Sequence, residues 1–285
     1  MADRRADADL PARRAGDAGL SRPRVPERLE GLVDSHAHLQ HDRFDADRDA
    51  VVDRAVEAGI ERILVPGWDV ASSALALELA DRHPEVIRAA VGVHPHQAAE
   101  MTEDAWADLE DLAADARCVA VGEIGLDYFR NLSPVDAQHD AFDRQLTLAE
   151  RLDRPVLVHD REAHDDVTAR LLAWTRRPGT PARGVLHAFS GDAAMAATLT
   201  DAGFVLSFAL PVAFRSAHGP RAAAAAMPRG GYLVETDAPY LGPYRDARNE
   251  PTTVLRVVAE LARLRSSSPE DVAAPLRGTL AALLG

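Results

Sequence analysis

From Leu32 onward the chain alternates short apolar runs with longer segments of helical periodicity. The apolar runs are Leu32 to His36, Arg62 to Val65, Ile87 to Val93, Cys118 to Ile124, Pro155 to His159, Gly184 to His187, Phe204 to Phe208 and Tyr232 to Glu235. Between them lie Asp47 to Ala58, Ser72 to Asp81, Asp104 to Ala114, Asp136 to Leu152 and Ala163 to Trp174, rich in Ala, Leu, Glu and Arg and patterned as helices. The seventh helix, Arg221 to Met227, is short and alanine-rich. Thr252 to Leu264 reads as the last barrel helix, and Ser268-Pro269-Glu270-Asp271 as the capped start of a terminal one. Strands alternating with helices in this number predict an α/β protein, a (β/α)8 TIM barrel. An open doubly wound sheet is the competing architecture, but no Gly-x-Gly-x-x-Gly follows the first run and no Walker loop is present.

Two segments follow from this pattern. Residues 1–29, rich in Ala, Arg, Asp and Pro, lack hydrophobic periodicity and read as a disordered tail, leaving 30–285 as the barrel. Arg4-Arg5 and Arg13-Arg14 resemble twin-arginine signals, but neither pair is followed by an apolar stretch long enough for export, so the expected compartment is the cytoplasm.

Composition narrows the chemistry. No apolar run approaches the roughly 20 residues that cross a bilayer, so no membrane partner is expected. Cys118 is the one cysteine, which rules out an internal disulfide and a thiolate cluster; at the start of an apolar run it reads as an inert core thiol. All 32 basic residues are arginine, so neither a lysine Schiff base nor a carboxylated lysine bridging two metals is available. A net charge of -13 repels the backbone of duplex DNA, and any nucleic-acid chemistry has to be local to one site.

His36 and His38 supply the first candidate site. Residues two apart on an extended strand face the same side, so the two imidazoles can meet one metal ion. On a parallel barrel the chemistry sits at the carboxyl ends of the strands. Those ends carry His36, His38, His94, His96, Glu123, His159, His187 and Asp237. Unpaired burial of so many polar groups would cost several kcal/mol, and a shared metal centre is the arrangement that removes the cost. Glu123 is flanked by Val119, Val121 and Ile124, which weighs against a surface ion pair, and Pro239 weighs against Asp237 as a helix cap. His94 and His96 fit equally a substrate-orienting role or a structural one beside Pro95. His41, His83, His139, His164 and His218 read as solvated.

The motifs Asp34-Ser35-His36-Ala37-His38-Leu39, Gly92-Val93-His94-Pro95-His96, Gly122-Glu123-Ile124-Gly125-Leu126-Asp127-Tyr128, Pro155-Val156-Leu157-Val158-His159-Asp160-Arg161, Leu186-His187-Ala188-Phe189-Ser190-Gly191 and Val234-Glu235-Thr236-Asp237-Ala238-Pro239-Tyr240-Leu241 resemble, in order, those of the TatD family of metal-dependent deoxyribonucleases. The resemblance implies a barrel hydrolase with two divalent cations (Mg, Mn or Zn). His36, His38, Glu123 and Asp237 would surround one ion, with Glu123 shared to a second held by His159 and His187. Asp237 and Glu123 would act in catalysis, Asp237 taking a proton from a metal-activated water. Among arginines that could clamp phosphate, Arg161 and Arg248 match family motifs, whereas Arg245 does not; His96 joins them as a substrate-binding candidate. The C-terminal helix departs from the family in lacking its usual asparagine.

The expected reaction is phosphodiester cleavage, at the ends of single-stranded DNA because no basic groove or aromatic platform for a long nucleic acid is evident. The same dinuclear site would also suit an amidohydrolase-type deacylase. A third reading is a metal-binding protein without catalysis.

Overall fold

Every one of the eight apolar runs becomes a strand, and the strands pair in parallel in sequence order. They are β1 (Leu32–Asp34), β2 (Ile60–Pro66), β3 (Ile87–Val91), β4 (Cys118–Asp127), β5 (Val156–Arg161), β6 (Gly184–Leu186), β7 (Phe204–Phe208) and β8 (Tyr232–Val234). The computed structural model describes residues 23–177, 183–244 and 247–284. At the seam the Ser35 N–H donates to the Val234 carbonyl at 3.0 Å, and Ala37 bridges Ala238 in parallel, so the sheet curls into a nearly closed (β/α)8 barrel.

Helices α1 (Arg48–Glu57), α2 (Val70–Arg82), α3 (Glu103–Ala114), α4 (Val135–Leu152), α5 (His164–Thr175), α6 (Ala193–Asp201), α7 (His218–Ala226) and α8 (Val254–Arg265) follow the strands in turn. Local chemistry starts several of them. Asp69 and Ser72 form a reciprocal capping box at α2, Thr102 caps α3, and Asp192 accepts two N–H groups at the start of α6. Helix α7 begins at His218, one turn earlier than the alanine run suggests. Ser268 caps as expected, but Pro275 divides the terminal segment into α9 (Pro269–Ala273) and α10 (Leu276–Leu284).

Apolar faces of the helices pack onto the barrel, burying Trp174, Phe142, Phe204 and Tyr232 almost completely. Each such side chain contributes about 1.5–3 kcal/mol. Cys118 opens β4 within this core, and burial pushes its thiol up to about 11. Leu29 also belongs to the core and its N–H bonds the Ala58 carbonyl, whereas residues 1–22 of the expected tail lie outside the described residues.

Two glycines let the strands approach where the site forms. A Cβ on Gly92 would lie 2.5 Å from the Gly122 carbonyl carbon, and one on Gly125, at φ +135°, would lie 2.0 Å from the His159 carbonyl oxygen. Glycine at both positions brings β3, β4 and β5 together around Glu123. Among the described residues no helix is long and apolar enough to cross a membrane.

Candidate metal centre

The strand ends deliver their polar side chains to one cluster. Strand β1 stops at Asp34, so His36 and His38 project from the bridge beyond it and not from the strand proper. Their Nε2 atoms nonetheless lie 3.2 Å apart, the same-side placement expected of residues two apart. Glu123 sits inside β4, where the register against β5 shifts between Val121 and Ile124. This irregularity turns a carboxylate inward between the buried apolar side chains of Val121 and Ile124.

The two oxygens of Glu123 face different partners. Oε2 lies 3.3 Å from His36 Nε2 and 3.5 Å from His38 Nε2. Oε1 lies 2.9 Å from His187 Nε2, 3.0 Å from His159 Nδ1 and 3.5 Å from His94 Nε2. Asp237 completes the first side, with Oδ1 3.8 Å from His36 and 3.6 Å from His38. Among the described residues, three groups therefore have ligand atoms within 4.8 Å of one another: His36, His38 and Asp237; His36, Glu123 and His187; and His94, Glu123 and His159. His94, for which a structural role was an equal expectation, lies in the cluster.

Buried carboxylates hold the imidazoles from behind. Asp127 Oδ2 lies 2.8 Å from His96 Nε2 and 3.2 Å from His159 Nε2. Glu235 Oε1 lies 3.3 Å from His187 Nδ1 and accepts the Ala188 N–H at 2.7 Å. Asp34 accepts the N–H and hydroxyl of Thr236 and so ties the barrel seam beside the site. These three acids lie within the ordered motifs, where spacing alone assigns them no role. A carboxylate in an apolar run was the available signal, because a buried charge needs a partner.

Protonation follows from this packing. Burial would raise Glu123, but the imidazoles of His187, His94 and His36 hold its carboxyl well below the usual range. Burial depresses His38 to about 3 and drives His94 well below its ordinary value, leaving neutral rings with lone pairs to donate. His187 and His159 are also buried, yet Glu123 with Glu235 lifts the first, and Asp127 with Glu123 lifts the second. Burial pushes the Asp237 carboxyl up to about 6.

The arginines divide. Arg161 ends β5 beside the site, its guanidinium 4.0 Å from the centre of the Phe129 ring. Arg248, expected as a phosphate clamp, makes its contacts within the protein. Its two terminal nitrogens grip Asp47 at 2.5 and 2.8 Å, it also donates to the Arg43 carbonyl, and it covers the Phe44 ring. That network pins the loop after β8 to the start of α1. Arg245 lies outside the described residues. Several histidines expected in solvent are engaged instead, His83 with Asp49, His139 with Tyr128 and His164 with Asp160.

A family model described as TatD related DNase matches residues 33–284. The chain belongs to the TatD family. This TatD chain is 37% identical over 245 residues to a protein of Bacillus subtilis (strain 168) named uncharacterized metal-dependent hydrolase YabD, covering 85% of this chain and 94% of that one. It is 37% identical over 248 residues to the 3'-5' ssDNA/RNA exonuclease TatD of Edwardsiella piscicida, covering 82% and 92%. The crystal structure of YJJV, a TatD homologue from Escherichia coli K12, superposes with a TM-score of 0.82 at 31% identity, covering 89% and 97%. The TatD chain is therefore a metal-dependent hydrolase, with His, Glu and Asp clusters able to bind metal.

Proposed function

We propose that this hydrolase cleaves phosphodiester bonds at the ends of single-stranded DNA, using two divalent cations, Mg, Mn or Zn. The carrying observation is the division of Glu123, whose Oε2 faces His36 and His38 while Oε1 faces His159, His187 and His94. The residues fit such a group. Imidazole nitrogens 3.0–3.2 Å apart, gathered round one anionic carboxylate, form a nest of lone pairs suited to dications.

His36, His38, Glu123 and Asp237 would hold one cation, and Glu123, His159 and His187, with His94 added, the other. Cations bound there supply Lewis acidity toward a phosphoryl oxygen and toward water. Glu235 and Asp127 keep His187 and His159 aimed at Glu123. His187 and His159, whose carboxylate partners favour the protonated ring, would have to be neutral to ligate a cation. Asp237 lies against the His36 side and serves as acceptor for the proton lost by the attacking water. His96, braced by Asp127, and Arg161 reach for phosphate oxygens.

The relatives named exonucleases support a nucleic-acid substrate, and the net charge of -13 favours a short single strand over duplex. A reducing, cytoplasmic setting accords with the single cysteine, Cys118.

The test is a hydrolysis panel on protein loaded in turn with Mg, Mn and Zn: an end-labelled single strand, the same sequence as duplex, and a series of N-acyl amides. Stepwise shortening of the single strand with the amides untouched is the expected result. Amide cleavage with every phosphodiester intact would replace this reading with a deacylase.

A further inference from the structure

We infer that Phe129, stacked on Arg161, is a platform for one nucleobase of the substrate strand, placed beside the catalytic cluster. The inference deepens the phosphodiesterase reading and rests on it. The loop joining β4 to α4 leaves three large apolar side chains open within seven residues: Phe129 at 43% exposure, Leu132 at 59% and Val135 at the head of α4 at 40%. A loop normally hides such groups, and a cluster of them at the rim of a site marks contact with a ligand.

Its place in the barrel ties this patch to the chemistry. Asp127, which ends β4, bonds His96 and His159 in the cluster. One residue later the Tyr128 N–H donates to the Arg161 carbonyl at 2.9 Å, locking the loop to the end of β5, two residues beyond His159. Phe129 follows directly. The Arg161 guanidinium covers one face of the ring at 4.0 Å from its centre, and Phe129 as a whole remains exposed.

That pairing has a chemical preference. An arginine whose guanidinium carbon sits over an aromatic ring can still offer N–H donors to phosphate oxygens. The open face of the ring offers a base-sized π surface, which accepts any base because all bases have a π face. One pair thus presents a phosphate contact and a stacking surface a nucleotide apart. A protein partner would use the apolar patch but has no need of the guanidinium over the ring. A net charge of -13 disfavours a long polyanionic strand, so a single stacked base is a natural way to hold an end.

The experiment measures binding, so it does not depend on turnover. Fluorescence anisotropy compares wild type, Phe129→Ala and Phe129→Trp, in Ca2+ buffer, on a short labelled oligothymidylate and on an abasic strand of equal length and charge. Losing the ring is expected to weaken oligothymidylate binding about tenfold. Phe129→Trp retains it, and the abasic strand binds wild type and Phe129→Ala alike. Equal losses on both strands would mean that the ring only braces Arg161, and would overturn the platform. So would wild-type binding that does not distinguish the two strands. A shift in oligomeric state for Phe129→Ala in sedimentation, with base-dependent binding unchanged, would assign the patch to self-association and overturn it as well. Base-dependent binding by wild type without any phosphodiester cleavage would leave the platform standing and sink the reading of the reaction instead.

Discussion

Glu235 Oε1 stands 3.3 Å behind the Nδ1 of His187, while the Nε2 of the same ring faces Glu123 at 2.9 Å. The imidazole is thus held between two carboxylates, one that aligns it and one that shares its target. Glu235 also takes the Ala188 N–H, so the backbone after β6 is fixed by the acid that orients the ring. Glu235→Gln preserves size and removes the charge. Metal affinity is expected to fall about 10–100-fold, read by competition with a chromophoric chelator. Unchanged affinity in a folded variant would remove Glu235 from the support of the site.

Glu123→Ala tests the shared carboxylate itself. Elemental analysis of purified protein is expected to show metal lost together with hydrolysis, because both groups of imidazoles face the same side chain. Chelation of the wild type should likewise abolish hydrolysis, and added divalent metal should restore it. Full activity in Glu123→Ala would end the case for a bridge.

Arg161 and Arg248 are expected to separate by phenotype. Arg161→Ala should raise KM for a phosphodiester substrate with little change in thermal midpoint. Arg248→Ala should lower the thermal midpoint and leave KM near wild type, since its donors are spent on Asp47 and the Arg43 carbonyl. The reverse pairing of effects would return Arg248 to the substrate.

The Asp47 carboxyl carries a pH signature. Hydrogen bonds from Arg248 depress it from 3.8 to about 2 in the folded protein. A carboxyl depressed by folding contributes stability above its unfolded value and loses it as pH falls, here between about 4 and about 2. Urea midpoints of wild type and Arg248→Ala should therefore differ near neutrality and converge at the bottom of that window. A gap independent of pH would show that stacking on Phe44, and not the ion pair, carries the effect.

Cys118 should resist alkylation in the native protein at pH 8 and react fully in denaturant, followed by mass spectrometry. Its thiol is buried and pushed up to about 11, so almost no thiolate is presented. Rapid native labelling would place it nearer the surface than the barrel allows.

Much of the architecture was legible because it is written locally. A run such as Phe204 to Phe208 is too short and too β-rich for a helix, and Ser268 before a proline announces its own cap. His36 and His38 disclosed their shared orientation through spacing alone. The hold of Arg248 on Asp47, by contrast, was not legible in its motif, because a guanidinium that grips Asp47 is chemically the same as one that grips a substrate.

The amino-acid order by itself determined the eight strand-and-helix repeats, the absence of lysine chemistry and the imidazoles and carboxylates placed at the ends of apolar runs. Only the tertiary structure decided how those groups divide round Glu123, that His94 joins them, and that Asp127 and Glu235 stand behind the rings. The reason is physical. Periodicity and capping depend on neighbours a few residues apart, whereas the partner of a buried charge is chosen by barrel closure and strand register across long stretches of chain.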